Sequence, residues 1–247
     1  GRFSEASIYL REFVSIENAY PVEVEPHILL IQSLIEISAF DDVNNFLTLA
    51  RSKYGNLSDL VLLECNLKMA IAQKKGGIFN KAWLDGLNSI YKSTGLMSLD
   101  VKGDLQKFDL NDIFACKTDN YSQVDGVLVS VIVPTYNAEE RIEYVLRSLE
   151  AQTWSNIEII VVDDCSTDLS TTVINKFIKN STIPITLVEL DVNSGPYIAR
   201  NKGLDFVKGH YITTHDSDDW SHPQKIERQV IDIIRHKGAI GSVSSWA

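Results

Sequence analysis

The chain has 247 residues, of which 45% are hydrophobic and 23% charged, so it is long enough for one large or two ordinary domains of a soluble protein. Its formal net charge of −10 argues against nonspecific nucleic-acid binding, because neutralising phosphates requires clustered Lys and Arg. An anionic substrate would therefore have to be met by local cations or by a metal ion.

The cysteine pattern and the hydropathy of the sequence indicate where in the cell the protein is located. Cys65, Cys116 and Cys165 are widely spaced and form no C-x-x-C pair, which indicates neither a disulfide framework nor a zinc site and fits a reducing cytosol. No stretch approaches the about 18 apolar residues of a membrane span. We predict a cytoplasmic protein without a transmembrane segment, at most peripheral at the inner face of the membrane. Because the chain starts at Gly1 without Met, we also expect a fragment of a longer protein.

The first ninety residues are predicted to be helical. Apolar residues recur at helical spacing between proline and glycine breakers, and three similar segments place Phe3, Phe40 and Phe79 37 and 39 residues apart. Residues 1–93 therefore form either a domain similar to tetratricopeptide-type repeats, which would bind a protein partner, or an irregular helical domain. Residues 94–125 lose this periodicity and are predicted to be a linker that packs through apolar residues such as Phe108 and Phe114.

Residues 126–247 alternate short apolar runs with helical spacing, which is typical of an α/β fold. The predicted strands cover residues 127–133, 157–162, 185–190 and 211–214, and the helices between them cover residues 138–151, 169–178 and 196–207. Such units require right-handed crossovers, so we predict a mostly parallel, Rossmann-like sheet with helices on both faces. Pro134 is expected to end the first strand, and residues 239–243 to begin a fifth.

Polar residues follow every predicted strand, at the edge of the sheet where ligands of open α/β folds bind. Turn formation by Asn, Asp, Ser and Gly explains one such loop but explains four converging loops poorly. Neither G-x-G-x-x-G nor G-x-x-x-x-G-K-[ST] is present, so neither a dinucleotide site nor a P-loop is predicted.

The loop after the fourth strand contains three carboxylates, those of Asp216, Asp218 and Asp219. Such a cluster is costly to bury without positive charge nearby. Asp216 and Asp218 offer the oxygen ligands through which a protein holds Mg²⁺ or Mn²⁺ on a diphosphate. The alternative is an acidic start to the following helix, favoured by the helix dipole, and Asp219 is assigned no more than that role. His215 would either point into the site or pack at the strand end.

Other polar residues near the strand ends suit recognition or local support. The carboxylates of Asp163 and Asp164 suit N–H and hydroxyl groups of a base or ribose. Arg200 would either steady a nucleotide and its phosphates or pair with a neighbouring carboxylate. Asp168 is expected to cap the helix that follows it, and Gly203 to permit close packing of the third helix.

Three segments of this half occur in a characteristic order: VSVIVPTYNAEERIEYVLRSLEAQT, EIIVVDDCSTD and NSGPYIARNKGLDFVKGHYITTHDSDDW. In this order they resemble the family-2 glycosyltransferases of the GT-A fold. Residues 215–227 are similar to the variant found in bacterial capsule and surface-polysaccharide transferases with helical N-terminal regions.

The resemblance implies a metal-dependent, inverting transfer of a sugar from a nucleotide-diphosphate sugar, with UDP the expected nucleotide, to a glycan acceptor. It implies that Asp164 reads the base, that Asp216 lies beside the ribose and diphosphate, and that Asp218 is the direct ligand of Mn²⁺ or Mg²⁺ in a D-x-D motif. The implied nucleotide-sugar-binding residues are Pro134, Thr135, Tyr136, Asp164, Arg200, Asp216 and Ser217, and the implied metal ligand is Asp218.

The same family places its catalytic base, an Asp, well beyond the D-x-D motif, and this sequence offers no candidate for it. We therefore expect the donor-binding half of an inverting transferase, with the base beyond Ala247. The alternative is a catalytically inert nucleotide-sugar-binding or scaffold module that acts through the helical repeats. A nucleotidyltransferase is disfavoured because the first loop is neither Gly-rich nor basic.

Overall fold

A computed structural model describes residues 2–17, 23–74, 81–104, 112–115 and 126–243. The chain divides into two compact units, Gly1–Cys116 and Lys117–Ser244. The predicted boundaries, 1–93, 94–125 and 126–247, stay predictions. Within the described ranges, no helix is both long and apolar enough to cross a membrane.

Five helices make up most of what is described of the first unit: α1 (Arg2–Glu17), α2 (Glu25–Glu36), α3 (Phe40–Tyr54), α4 (Ser58–Lys74) and α5 (Lys81–Ser93). Consecutive helices pack against each other, and α2 also contacts α4. Fully buried side chains of α2 and α4, such as Leu30, Leu34 and Leu60, form the centre of the core. The predicted helical N-terminal region is confirmed, whereas its repeat character stays a prediction.

Two short strands lie within the predicted linker and belong to the first unit. They are β1 (Leu99–Val101) and β2 (Ile113–Ala115), which pair antiparallel. The side chain of Asn88 in α5 donates to the backbone oxygen of Leu99 at 2.8 Å and accepts from its nitrogen at 2.7 Å. These two bonds attach β1 to α5. Phe108 lies outside the described residues.

The second unit is built on a parallel four-stranded sheet with the order β5-β4-β3-β6. The strands are β3 (Val129–Thr135), β4 (Ile157–Asp163), β5 (Ile185–Glu189) and β6 (Tyr211–Thr214). Every residue of β3 and β4 is buried, as the central strands of a sheet covered on both faces must be. The α/β class predicted from the alternation of strands and helices is confirmed.

Helices cover both faces of this sheet. They are α6 (Ile142–Glu150), α7 (Ser170–Ile178), α8 (Pro196–Gly203), which continues as a 3-10 turn at Leu204–Phe206, and α9 (Lys225–Arg235). One apolar layer joins Val131 of β3 to α6, α7 and α9, and the other joins Ile132 to α8. Adjacent strand residues therefore face opposite layers, as the two-residue repeat of a strand requires.

Gly203 shows why α8 can lie so close to the sheet. A Cβ atom built there would lie 2.6 Å from Cγ2 of Ile132 and 3.3 Å from Cγ2 of Val162. The predicted close packing at this glycine is confirmed.

Three local predictions are wrong. Pro134 does not end the first strand, since β3 continues to Thr135 and Pro134 pairs in register with Val162. Residues 239–243 form no strand, and Ile240 is fully exposed. The acidic run does not start a helix, because α9 begins only at Lys225. Asp219 is therefore not a helix-start residue, and the helix dipole does not explain the run.

Candidate active site

The C-terminal ends of the strands open onto a cleft with a volume of about 300 Å³. All eight residues predicted to bind the nucleotide sugar or the metal line it, together with parts of the 193–199 segment. The structure therefore brings the predicted residues together, while the role of each stays a prediction. These residues are Pro134, Thr135, Tyr136, Asp164, Arg200, Asp216, Ser217 and Asp218.

The first two strand-end loops are joined by hydrogen bonds around Asn137. This residue has a positive φ of 46°, a conformation that asparagine tolerates better than most residues. Its backbone N–H donates to Oγ of Ser166 at 2.9 Å, and its side-chain oxygen accepts from the Thr167 N–H at 2.9 Å. The sequence placed Asn137 at a strand end, but this bridging role depends on a loop about thirty residues away in the chain.

Asp163 and Asp168 support these loops. The Asp163 carboxylate accepts from the backbone N–H and the hydroxyl of Ser166 at 2.9 and 2.6 Å, and Asp163 is not among the residues that line the cleft. Asp168 accepts from the N–H of Ser170, the first residue of α7, at 2.9 Å. It stabilises that helix start as expected, although the N-cap position itself is Leu169.

Asp164 is buried and fixes the entry to α8. One carboxylate oxygen accepts from the backbone N–H of Ser194 at 2.8 Å and the other from that of Gly195 at 2.6 Å. Gly195 has a φ of 88°, a left-handed conformation that favours glycine. Asp164 therefore positions the 194–195 turn, and through it α8, in addition to lining the cleft.

Arg200 of α8 faces the acidic run from one side. Its Nη2 donates to Oδ1 of Asp216 at 2.5 Å, and its guanidinium lies 5.6 Å from the ring centre of Tyr197. Its buried Nε has no hydrogen-bond partner among the described residues. Arg200 is the sole cationic side chain among the described residues that line the cleft.

Asp218 is the most exposed and least tightly paired carboxylate of the cleft. Its side chain is 58% exposed, and its nearest cation is Nη1 of Arg141 at 3.5 Å. The hydroxyl of Tyr144 donates to the backbone oxygen of Asp218 at 3.2 Å. The backbone of Asp218 is thus held in place while its carboxylate stays available to a ligand.

The donor set of the cleft fits a hard divalent cation that shares its ligands with a substrate. Among the described residues, no group of three or more His, Cys, Asp or Glu side chains converges on one point. Magnesium sites commonly use one or two carboxylates, with water and substrate phosphates as the remaining ligands. Asp218, with Asp216 beside it, meets that description.

His215 lies outside the lining of the cleft. Its ring is buried, and its Nδ1 lies 2.9 Å from the backbone oxygen of Asp216. A carbonyl oxygen can only accept a hydrogen bond, so Nδ1 carries the proton and donates it. Burial, with the nearby charge of Lys225, lowers the pKa of His215 to about 4. The ring is therefore neutral at pH 7 and supports the acidic run through its backbone.

Asp219, the last carboxylate of this run, and Lys225 of α9 affect each other's charge. Burial, followed by the charges of Asp216 and Asp218, raises the pKa of Asp219. Burial also lowers the pKa of Lys225, and the neighbouring carboxylates oppose that shift. Lys225 lies within the 215–227 segment that resembles surface-polysaccharide transferases, but the sequence assigned it no role, because its approach to the acidic run depends on where α9 begins.

Comparison with known proteins shows what this half of the chain is similar to. Residues 130–245 match the model of the family described as "Glycosyl transferase family 2". "UDP-Glc:alpha-D-GlcNAc-diphosphoundecaprenol beta-1,3-glucosyltransferase WfaP" of Escherichia coli is 42% identical over 103 residues, which cover 42% of this chain and 40% of WfaP. "Poly(ribitol-phosphate) beta-N-acetylglucosaminyltransferase TarS" of Staphylococcus aureus is 36% identical over 110 residues, which cover 43% of this chain and 19% of TarS.

A solved structure is also similar to this half. The crystal structure of S. aureus TarS 1-349 in complex with UDP-GlcNAc is 35% identical, with a TM-score of 0.41, and the match covers 44% of this chain and 31% of that structure. The chain spans about two fifths of the length of the first curated relatives it matches.

Proposed function

Because residues 130–245 match the model of glycosyl transferase family 2, we propose that this protein transfers a sugar from a nucleoside-diphosphate sugar to a glycan acceptor. The proposed donor is a UDP-sugar, the proposed cofactor is Mn²⁺ or Mg²⁺, and the proposed outcome is inversion at the anomeric carbon. The name of WfaP, which includes UDP-Glc as its donor, supports the choice of nucleotide.

One observation carries the proposal: the eight residues expected to bind the donor and the metal line a single cleft at the C-terminal edge of the sheet. They come from four separate segments, namely the end of β3, the loop after β4, α8 and the loop after β6, so their convergence is a property of the fold. Ligands of open α/β sheets bind at this edge.

The chemistry of sugar transfer explains why such a cleft needs both cations and carboxylates. As the glycosidic bond to the diphosphate breaks, negative charge accumulates on the departing phosphate oxygens, and fixed positive groups stabilise that charge. A divalent cation held by Asp218 would supply Lewis-acid stabilisation there. Arg200 would supply a fixed guanidinium on the same side, oriented by its pair with Asp216.

Asp164 holds the N-terminal end of α8 in place. Its two bonds to the amides of Ser194 and Gly195 fix the start of α8, and with it the position of Arg200. We propose that the base lies along Pro134, Thr135, Tyr136 and Asp164, with the ribose and diphosphate beside Asp216 and the metal at Asp218. The proposal assigns donor binding to these residues and leaves acceptor deprotonation to others.

Two further parts of the proposal concern the protein's surroundings. The helices of the first unit would bind a protein partner, as stacked helical hairpins commonly do. A cytoplasmic location rests on the cysteine pattern of the chain.

Calorimetric titration with UDP, together with release of UDP from UDP-glucose and UDP-GlcNAc, tests this function. We expect binding in Mn²⁺ that falls about tenfold or more in EDTA or in Asp218→Ala, because both changes remove the bridge between the carboxylate and the phosphates. Asp205→Ala is the matched control, since Asp205 is similarly exposed and pairs with Lys202 outside the cleft. Absence of UDP binding, or equal binding by Asp218→Ala, would contradict the proposal.

A further inference from the structure

Two carboxylates of the acidic run each face an arginine, but the two pairs differ. Asp216 lies 2.5 Å from Arg200, whose side chain is 26% exposed, whereas Asp218 lies 3.5 Å from Arg141, whose side chain is 55% exposed. The first pair is short and half-buried. The second is long and open to water, so it is worth little in stability and is easily exchanged.

The backbone of Arg141 is anchored although its side chain is free to move. Its N–H donates to the oxygen of Ala138 at 2.9 Å, and the N–H of Ala138 donates to Oγ of Ser170 at 2.7 Å in a buried bond. Arg141 therefore starts from a fixed point beside the cleft. Its side chain is 55% exposed, so a rotation away from Asp218 requires no shift of α6.

The charge balance of the cleft changes when a nucleoside diphosphate binds. Three carboxylates, those of Asp164, Asp216 and Asp218, line the cleft with the single cation of Arg200. A diphosphate adds further negative charge. Once a divalent cation neutralises Asp218, the guanidinium of Arg141 is no longer attracted to that carboxylate. The planar guanidinium matches the geometry of phosphate oxygens.

We propose that Arg141 is a second cation of the donor site, paired with Asp218 in the free protein and turned to the diphosphate when Asp218 binds a divalent cation. The hydroxyl of Tyr144 holds the backbone of Asp218 throughout, so the exchange needs only a side-chain rotation. This inference rests on the proposed function, since it assumes a nucleoside diphosphate in the cleft.

The test compares UDP affinity by calorimetry in EDTA and in saturating Mn²⁺ for the unaltered protein, Arg141→Ala and Arg147→Ala. Arg147 is the matched control, because it lies in α6, the helix that Arg141 immediately precedes, has the same 55% exposure and pairs with Glu143 away from the cleft. In Arg141→Ala we expect a loss of about tenfold in Mn²⁺, the low end for a charge-assisted bond to phosphate. In EDTA we expect a loss of about twofold, because Arg141 then stays with Asp218 and contributes only screened attraction. Arg147→Ala should change neither value.

Several outcomes would overturn this role. Equal losses of UDP affinity with and without Mn²⁺ would show that Arg141 acts only through its long-range charge. Tighter UDP binding by Arg141→Ala would show that Arg141 blocks Asp218 instead of binding the diphosphate. Unchanged affinity, or an equal loss in Arg147→Ala, would also overturn the role. If the unaltered protein binds none of UDP, GDP, ADP, CDP and TDP, the proposed function falls together with this inference. Binding by the unaltered protein that Arg141→Ala leaves intact removes this inference alone.

Discussion

His215 lies between the end of β6 and the acidic run, and its ring makes one hydrogen bond to the backbone of that run. Its protonated Nδ1 donates to the backbone oxygen of Asp216, and its buried Nε2 has no hydrogen-bond partner among the described residues. A second proton would have to enter this buried position beside Lys225, and that is why the pKa falls from 6.5 to about 4.

This shift predicts a pH dependence of stability. Between pH 6.5 and about pH 4 the unfolded chain holds a proton on His215 that the folded chain does not. The contribution of His215 to stability is therefore fully present above pH 6.5 and is lost as the pH falls toward 4. The slope from this residue is at most about 1.4 kcal/mol per pH unit. His215→Gln removes that contribution, so the difference in unfolding free energy between the two proteins should shrink from about pH 7 to about pH 4.5. Urea unfolding at each pH measures this difference. Unfolding free energies of the two proteins that change in parallel with pH would contradict a neutral, buried His215.

Sequence patterns placed the polar residues correctly but could not show how they are used. Asp164 was expected in the cleft because it follows a strand, and it lies there. Its bonds to the amides of Ser194 and Gly195 join positions about thirty residues apart. Such bonds depend on which strands become neighbours, and no local pattern contains that information. For the same reason, the approach of Arg141 to Asp218 could not be predicted from the sequence.

At the scale of elements, α8 is the helix that positions Arg200, the cationic side chain that lines the cleft. Its N-terminal end is held by Asp164, and near its C-terminal end Gly203 lies against Ile132 and Val162. Arg200 lies between these two fixed points. A change in how α8 packs on the sheet should therefore alter the position of Arg200.

Gly203→Ala is expected to push α8 away from the sheet. The added Cβ would lie 2.6 Å from Ile132 Cγ2, and overpacking of this kind costs about 1–3 kcal/mol, offset in part by about 1 kcal/mol of helix propensity. Both the free energy of unfolding and the affinity for UDP should fall. The control is Gly241→Ala, where a Cβ would meet nothing within 4 Å. If the two variants match in both measurements, this packing does not position the site.

The periodicity of the sequence predicted the four strands of this sheet in their order along the chain, but it missed some of their ends and added a fifth strand at residues 239–243 that does not form. Pro134 was expected to stop β3, yet proline lacks only its own N–H and keeps a carbonyl that can bond within a sheet. Residues 239–243 have the composition of a strand, but composition does not supply a neighbouring strand to pair with. Strand ends are decided by pairing partners, which single-segment patterns do not reveal.

At the scale of the whole molecule, the net charge of −10 opposes binding of any anionic ligand. Binding of a diphosphate would therefore depend on the local cations that the fold assembles beside the acidic run. The described part of the second unit also has a smaller groove of about 180 Å³ between α6 and α7, lined by residues that include Glu143, Glu150 and Lys176. It combines carboxylates with two cations, Arg147 and Lys176, so it is the competing site for a metal and a phosphate.

The central claim, that the metal and the nucleotide meet at Asp218, is tested most directly by paramagnetic broadening of backbone amide signals with UDP and traces of Mn²⁺. We predict that the signals of Asp216, Ser217 and Asp218 broaden first, that UDP strengthens the effect, and that Mg²⁺ in excess reverses it. Signals of Lys176, Asn180 and Ser181 should stay sharp, because α7 runs back toward the opposite edge of the sheet. Broadening centred on that second groove, or broadening that does not depend on UDP, would contradict the account.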